Sequence, residues 1–148
     1  MNPIILAGLL LGGGVAAGSV MEHQARIEHA TGPVDARYRG DVAISHKQVG
    51  AVGPGGRPST LACTWRANVA VTREARHPSG SVFTRSMARV GVIEGRRPGW
   101  CTTQRQAIAR EVAQRRYELR SHLIETAQED HHALRSEIDR AHSDARAG

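Results

Sequence analysis

Aromatic side chains are scarce in this chain: one Phe, two Trp and two Tyr among 148 residues. Rings bring the largest buried area per residue, so a core built on Val, Ile, Leu and Ala gains less from collapse. A domain of this size then benefits from a covalent staple. Lysine is also nearly absent, with Lys47 the sole example, so the formal net charge of +6 is carried by arginine. Arginine stays charged at any biological pH and makes forked contacts with carboxylate and phosphate. Such a balance favours acidic partners: nucleic acid, anionic lipid or acidic polysaccharide.

Cysteine occurs only at Cys63 and Cys101, thirty-eight positions apart. This excludes C-x-x-C redox chemistry and clustered-thiol metal sites. Nucleophilic and phosphate-binding motifs are missing as well. Ser79-Gly80-Ser81 has the composition of a turn and lacks the G-x-S-x-G elbow. The Gly53-Pro54-Gly55-Gly56 loop lacks the Lys-Ser/Thr ending of a phosphate cradle, and its proline removes an N–H donor.

No charged residue precedes Glu22, and Pro3 to Met21 form an apolar, glycine-containing run. That pattern fits the hydrophobic region of a secretory signal over residues 1–18, with Ala16-Ala17-Gly18 placing cleavage before Ser19. An uncleaved N-terminal anchor fits the same run, whose Gly8/Gly12 and Gly14/Gly18 spacings resemble a small-xxx-small helix face. Either way the expectation is export to the periplasm or the medium. There a lone pair of cysteines bridges, and a Cys63–Cys101 disulfide is expected.

Beyond a flexible lead-in at 19–33, a single domain is expected over 34–148. From Val34 to Val49 the pattern turns to alternation, clearest at Val42 and Ile44. The Gly50–Ser59 segment is a glycine- and proline-rich loop. Leu61, Cys63, Trp65, Ala67, Val69 and Val71 then share one face of the strongest strand. After a turn over 76–81, residues 82–94 form a further strand. Runs joined by loops and not helices give an antiparallel meander.

Glycine and proline are absent between Gly99 and Gly148. Thr103 and Gln106 make a T-x-x-Q capping box, predicting a helix from about residue 104. Its apolar stripe is Ile108, Val112, Leu119, Leu123, Ala127, Leu134, Ile138, Ala141 and Ala145, several at eleven-residue spacing. The expected fold is therefore α+β: a small antiparallel sheet of about three strands, one long C-terminal amphipathic helix, and one disulfide. Strands of average length, about 20 Å, cover only half of a helix of about 60 Å. The part beyond about Gln128 is then expected to fold back, project or pair with another chain.

That apparent excess makes Leu119, Leu123, Leu134 and Ile138 a candidate interaction face, and protein (a second copy or another chain) the expected partner. A second candidate is an anion-binding surface of Arg96, Arg97, Arg105, Arg110, Arg115, Arg116 and Arg120, suited to an anionic polymer or lipid headgroup. Specific nucleic-acid recognition is not expected, since neither stacking aromatics nor a docking module is visible. His122, Glu125, Glu129 and His132 share a helical arc with the spacing of a di-metal motif. However, that arc lies opposite the stripe, and the chain has no second helix to complete a site. No cofactor, metal or catalytic residue is assigned, and the expected function is non-enzymatic: an exported interaction or structural module.

Overall fold

The computed structural model describes residues 19–148, so the proposed signal or anchor at 1–18 lies outside the described residues. The order is β1 (Val20–Ile27), β2 (Val34–Val49), β3 (Ala62–Arg76), β4 (Val82–Pro98), α1 (Cys101–Gln114) and α2 (Arg116–Ala147). The strands form one four-stranded antiparallel meander, β1-β2-β3-β4, with both helices after it. The fold is α+β as expected, with one strand more. The additional strand is β1, inside the segment read as a flexible lead-in. Its side chains alternate, with Met21 and Ile27 buried and Glu22, Gln24 and Arg26 exposed, but the period is carried by few large apolar residues.

Strand length corrects a second expectation. β2, β3 and β4 contain 16, 15 and 17 residues, or about 50 Å each at ~3.3 Å per residue. A sheet that long covers the helices almost to their end. Ile108, Val112, Leu119, Leu123, Ala127, Leu134 and Ile138 are all buried against it. Only the last ten residues, 139–148, which include Ala141 and Ala145, are exposed throughout.

One face of the sheet is therefore dry and the other wet. The dry face presents Val34, Ala36 and Tyr38 from β2 and Cys63, Trp65, Ala67, Val69, Val71 and Ala75 from β3. Glycine makes room on this face at two points. A Cβ on Gly40 would sit 3.4 Å from Leu123, and one on Gly95 would fall 2.5 Å from the Trp65 ring. The wet face is a lattice of polar pairs, among them Arg37–Glu22, Arg66–Glu94 and Arg76–Glu74.

The helix begins at Cys101 with Trp100 as N-cap and no side-chain cap bond from its own segment, so the Thr103/Gln106 box is not used. The sheet supplies the cap instead. Gln48 Oε1 accepts the Cys101 N–H at 2.7 Å, while its Nε2 donates to the carbonyls of Ala62 and Gly99. The Cys63–Cys101 disulfide lies beside it. The long helix is interrupted at Arg115, whose N–H is shared between the carbonyls of Glu111 and Val112.

Candidate functional site

The strongest electrostatic feature lies inside the molecule. Along β3 the inward positions run Trp65, Ala67, Val69, Val71 and then Arg73. Registration places Arg73 beside Tyr38 of β2 and Arg85 of β4, and Tyr38 beside His23 of β1. A polar row thus crosses the dry face, and α2 sets Asp130 and Glu137 against it. Arg73 donates to Asp130 from Nε (2.7 Å) and Nη2 (3.2 Å), and to Glu137 from Nη1 (2.9 Å) and Nη2 (3.0 Å). Asp130 also accepts from Tyr38 Oη and from Arg85 Nη1, each at 2.9 Å. The side chains of Arg73 and Asp130 are both 0% exposed.

Burial alone would raise the Asp130 carboxyl, but the bonds from Arg73 and Tyr38 outweigh it and hold the group below the usual carboxylate range. Burial and the Asp130 carboxylate together push the Tyr38 phenol upward, so it remains a donor. Burial, aided by Arg135 and His23, lowers the neighbouring His131 and keeps it neutral. Arg73 and Tyr38 donate to internal acceptors. The cluster fixes how α2 lies on the sheet, while the neighbouring His131 keeps a buried Nε2 without a hydrogen-bond partner.

A second network joins the hairpin turns at one end of the sheet to α2. His29 Nδ1 accepts the Thr31 N–H, which leaves Nε2 to donate to Asp139 at 2.8 Å. His77 Nδ1 accepts the Ser79 N–H, and its Nε2 donates to Thr31 Oγ1 at 2.9 Å. Both nitrogens of each ring are used, so these histidines bridge loops and offer no free nitrogen to a metal or substrate. Among the described residues no three His, Cys, Asp or Glu side chains gather as a metal site. Within the His122/Glu125/Glu129/His132 arc, His122 is half-buried, Glu129 pairs with Arg89 of β4, and Glu125 and His132 face solvent.

The opposite end, held by the disulfide, differs in charge. The segments 42–65 and 95–110 meet there through β2–β3 and β3–β4 pairing, and neither contains an Asp or Glu. They contribute Lys47, Arg57, Arg96, Arg105 and Arg110, all exposed and none in an ion pair among the described residues. The exception is Arg97, which turns inward to Glu111 at 3.2 Å. Elsewhere most arginines on the sheet are neutralised by partners such as Glu28, Asp41 and Glu74. The close approach of Arg105, added to burial, lowers the pKa of His46 at this end.

The structure therefore divides the seven arginines proposed from sequence. Arg96, Arg105 and Arg110 lie at the basic end. Arg97 and Arg115 are bound to Glu111 and Glu118. Arg116 and Arg120 donate to the backbone carbonyls of Val20 and Glu22 on β1. Lys47, which strand pairing sets across Thr64 from Arg96, and Arg57 of the β2–β3 loop are further exposed cations at this end that were missed. The candidate interaction face is corrected outright. Leu119, Leu123, Leu134 and Ile138 are buried within the chain itself, because the strands are long enough to cover them. No protein family, curated protein or solved structure matches the chain.

Proposed function

We propose that this is an exported, non-enzymatic binding module that holds an anionic partner at its disulfide end. The observation that carries the proposal is the set of five exposed, unpaired cations on segments with no carboxylate. Unpaired arginine and lysine beside one another repel, and a folded chain that keeps them together gains when an anion neutralises them. The Cys63–Cys101 bond supports export, since such bridges persist in oxidising surroundings. The absence of charge from the first twenty-one residues supports it as well. The committed hydrogen bonding of Arg73, Asp130, His29 and His77 supports a non-catalytic role.

The test is retention on immobilised heparin, a generic polyanion, by the full chain and by a Lys47→Gln/Arg57→Gln/Arg96→Gln variant. The expected result is elution at markedly lower salt for the variant, with an unchanged melting temperature. Equal elution overturns the proposal. Export is checked by intact-mass analysis of cell fractions with and without reductant. Full-length protein in the cytosol with both thiols free removes that part.

A further inference from the structure

We infer that the anionic partner is a phospholipid bilayer surface, and that the disulfide end lies against it. The inference rests on the proposed anionic-partner function and names the partner through three further observations. The first is apolar exposure among the cations. Trp100, at the junction of β4 and α1, is 54% exposed, and Val52, in the β2–β3 loop, is 61% exposed. An exposed tryptophan at the same end of the sheet as these cations suits the headgroup region, where an amphipathic ring sits between hydrocarbon and water. A sulfated polyanion such as heparin offers no hydrocarbon layer into which an indole and Val52 could insert.

The second is the composition of the β2–β3 loop. Gly50 to Thr60 contains Val52, Pro54, Pro58 and Arg57 but no acidic residue. It can therefore approach a negatively charged surface without repulsion.

The third is chain direction. β1 runs antiparallel to β2 with Ile27 beside Val34 and Val20 beside Asp41. Followed backwards, the chain heads toward the later residues of β2, and the Ser19 carbonyl already accepts the Val42 N–H. The described chain therefore begins, at Ser19, beside the half of β2 that leads to the basic end, and not beside the acidic far end of α2. No helix among the described residues is long and apolar enough to span a membrane, so the contact proposed here is peripheral.

The test uses the full chain with vesicles of phosphatidylglycerol mixed with phosphatidylcholine, and with vesicles of phosphatidylcholine alone. The readout is Trp100 emission, obtained by subtracting the spectrum of a Trp100→Phe variant, together with quenching by brominated acyl chains. Trp65 is buried and remains constant, and the apolar N-terminal run holds no tryptophan to confuse the signal. The expected result is a blue shift and bromine quenching on the anionic vesicles only, both suppressed by high salt. At about fivefold per cation near an anionic surface, Lys47→Gln/Arg57→Gln/Arg96→Gln weakens partitioning by roughly 100-fold. Unchanged Trp100 emission, or equal effects on neutral vesicles, overturns the inference. If heparin retention persists while Trp100 ignores vesicles, the lipid assignment alone falls. If the chain binds neither, both fall.

Discussion

Asp130→Ala tests the internal lock most directly. The substitution removes one carboxylate that accepts from Tyr38, twice from Arg73 and once from Arg85. Arg73 is left fully buried with only Glu137, whose side chain is partly exposed. Breaking a buried, hydrogen-bonded ion pair from one side costs about 3–5 kcal/mol, because the remaining charge stays desolvated. For a domain of this size that corresponds to a fall in melting temperature on the order of 10 °C. Screening by salt reaches buried pairs weakly, so the loss measured by thermal or urea unfolding stays the same in about 0.5 M NaCl. The double variant Arg73→Met/Asp130→Leu removes both charges and restores apolar packing. It is expected to recover more than half of the loss, since the desolvation penalty disappears with the pair. A melting temperature within about 2 °C of the parent for Asp130→Ala would refute the reasoning, as would strict additivity in the double variant.

Three further outcomes follow from the same geometry. Replacing both Cys63 and Cys101 with Ser frees the loop between them and lowers stability by about 4 kcal/mol through chain entropy; identical urea midpoints for parent and variant would contradict this. Gly95→Ala drives a methyl to 2.5 Å from the Trp65 ring and costs about 1–3 kcal/mol of overpacking, readable by calorimetry; an unchanged melt means that the ring has room to move. Acid acts through groups whose folded pKa values are depressed, among them the buried Asp130 and His131, with His46 titrating in the same range as His131. Stability is complete above their unfolded values, declines below about pH 6.5 as His131 is forced to protonate, and declines again below about pH 4 at Asp130. Melts at stepped pH should show that His131→Leu reduces the first decline and spares the second; a parent curve flat from about pH 7 to 4 excludes the histidine, and one flat on to about pH 2 excludes Asp130 as well.

Much of the architecture was legible because side-chain period survives low hydrophobicity. The β3 face, the disulfide and the helix stripe could all be read from spacing. The inner lock was also written there, but in charged letters. Arg73 continues the inward parity of Trp65 to Val71, and Asp130 stands eleven residues after Leu119, itself eleven after Ile108. A charged residue at an apolar register position reads as the end of a pattern until a partner is visible, and partners 57 residues apart are joined only by tertiary structure. The extent of coverage was misjudged for another reason. Strand length was taken from the average, whereas small side chains such as Ala36, Ala67 and Ala75 carry these strands well past it. The cation patch depended on register, which places Lys47 and Arg96 on either side of Thr64.

The interruption at Arg115 divides one long cylinder into two stretches that are fastened separately. On one side hold the sulfur bridge and the Gln48 amide; on the other hold the guanidinium–carboxylate lock and the His29 contact to Asp139. Cutting the sulfur bridge by reduction leaves α1 held at its start by Gln48 alone and loosens the disulfide end, while the stretch beyond keeps its seat. Amide exchange would show the two halves letting go at different times, so a reducing environment would dull the tip before it melted the body.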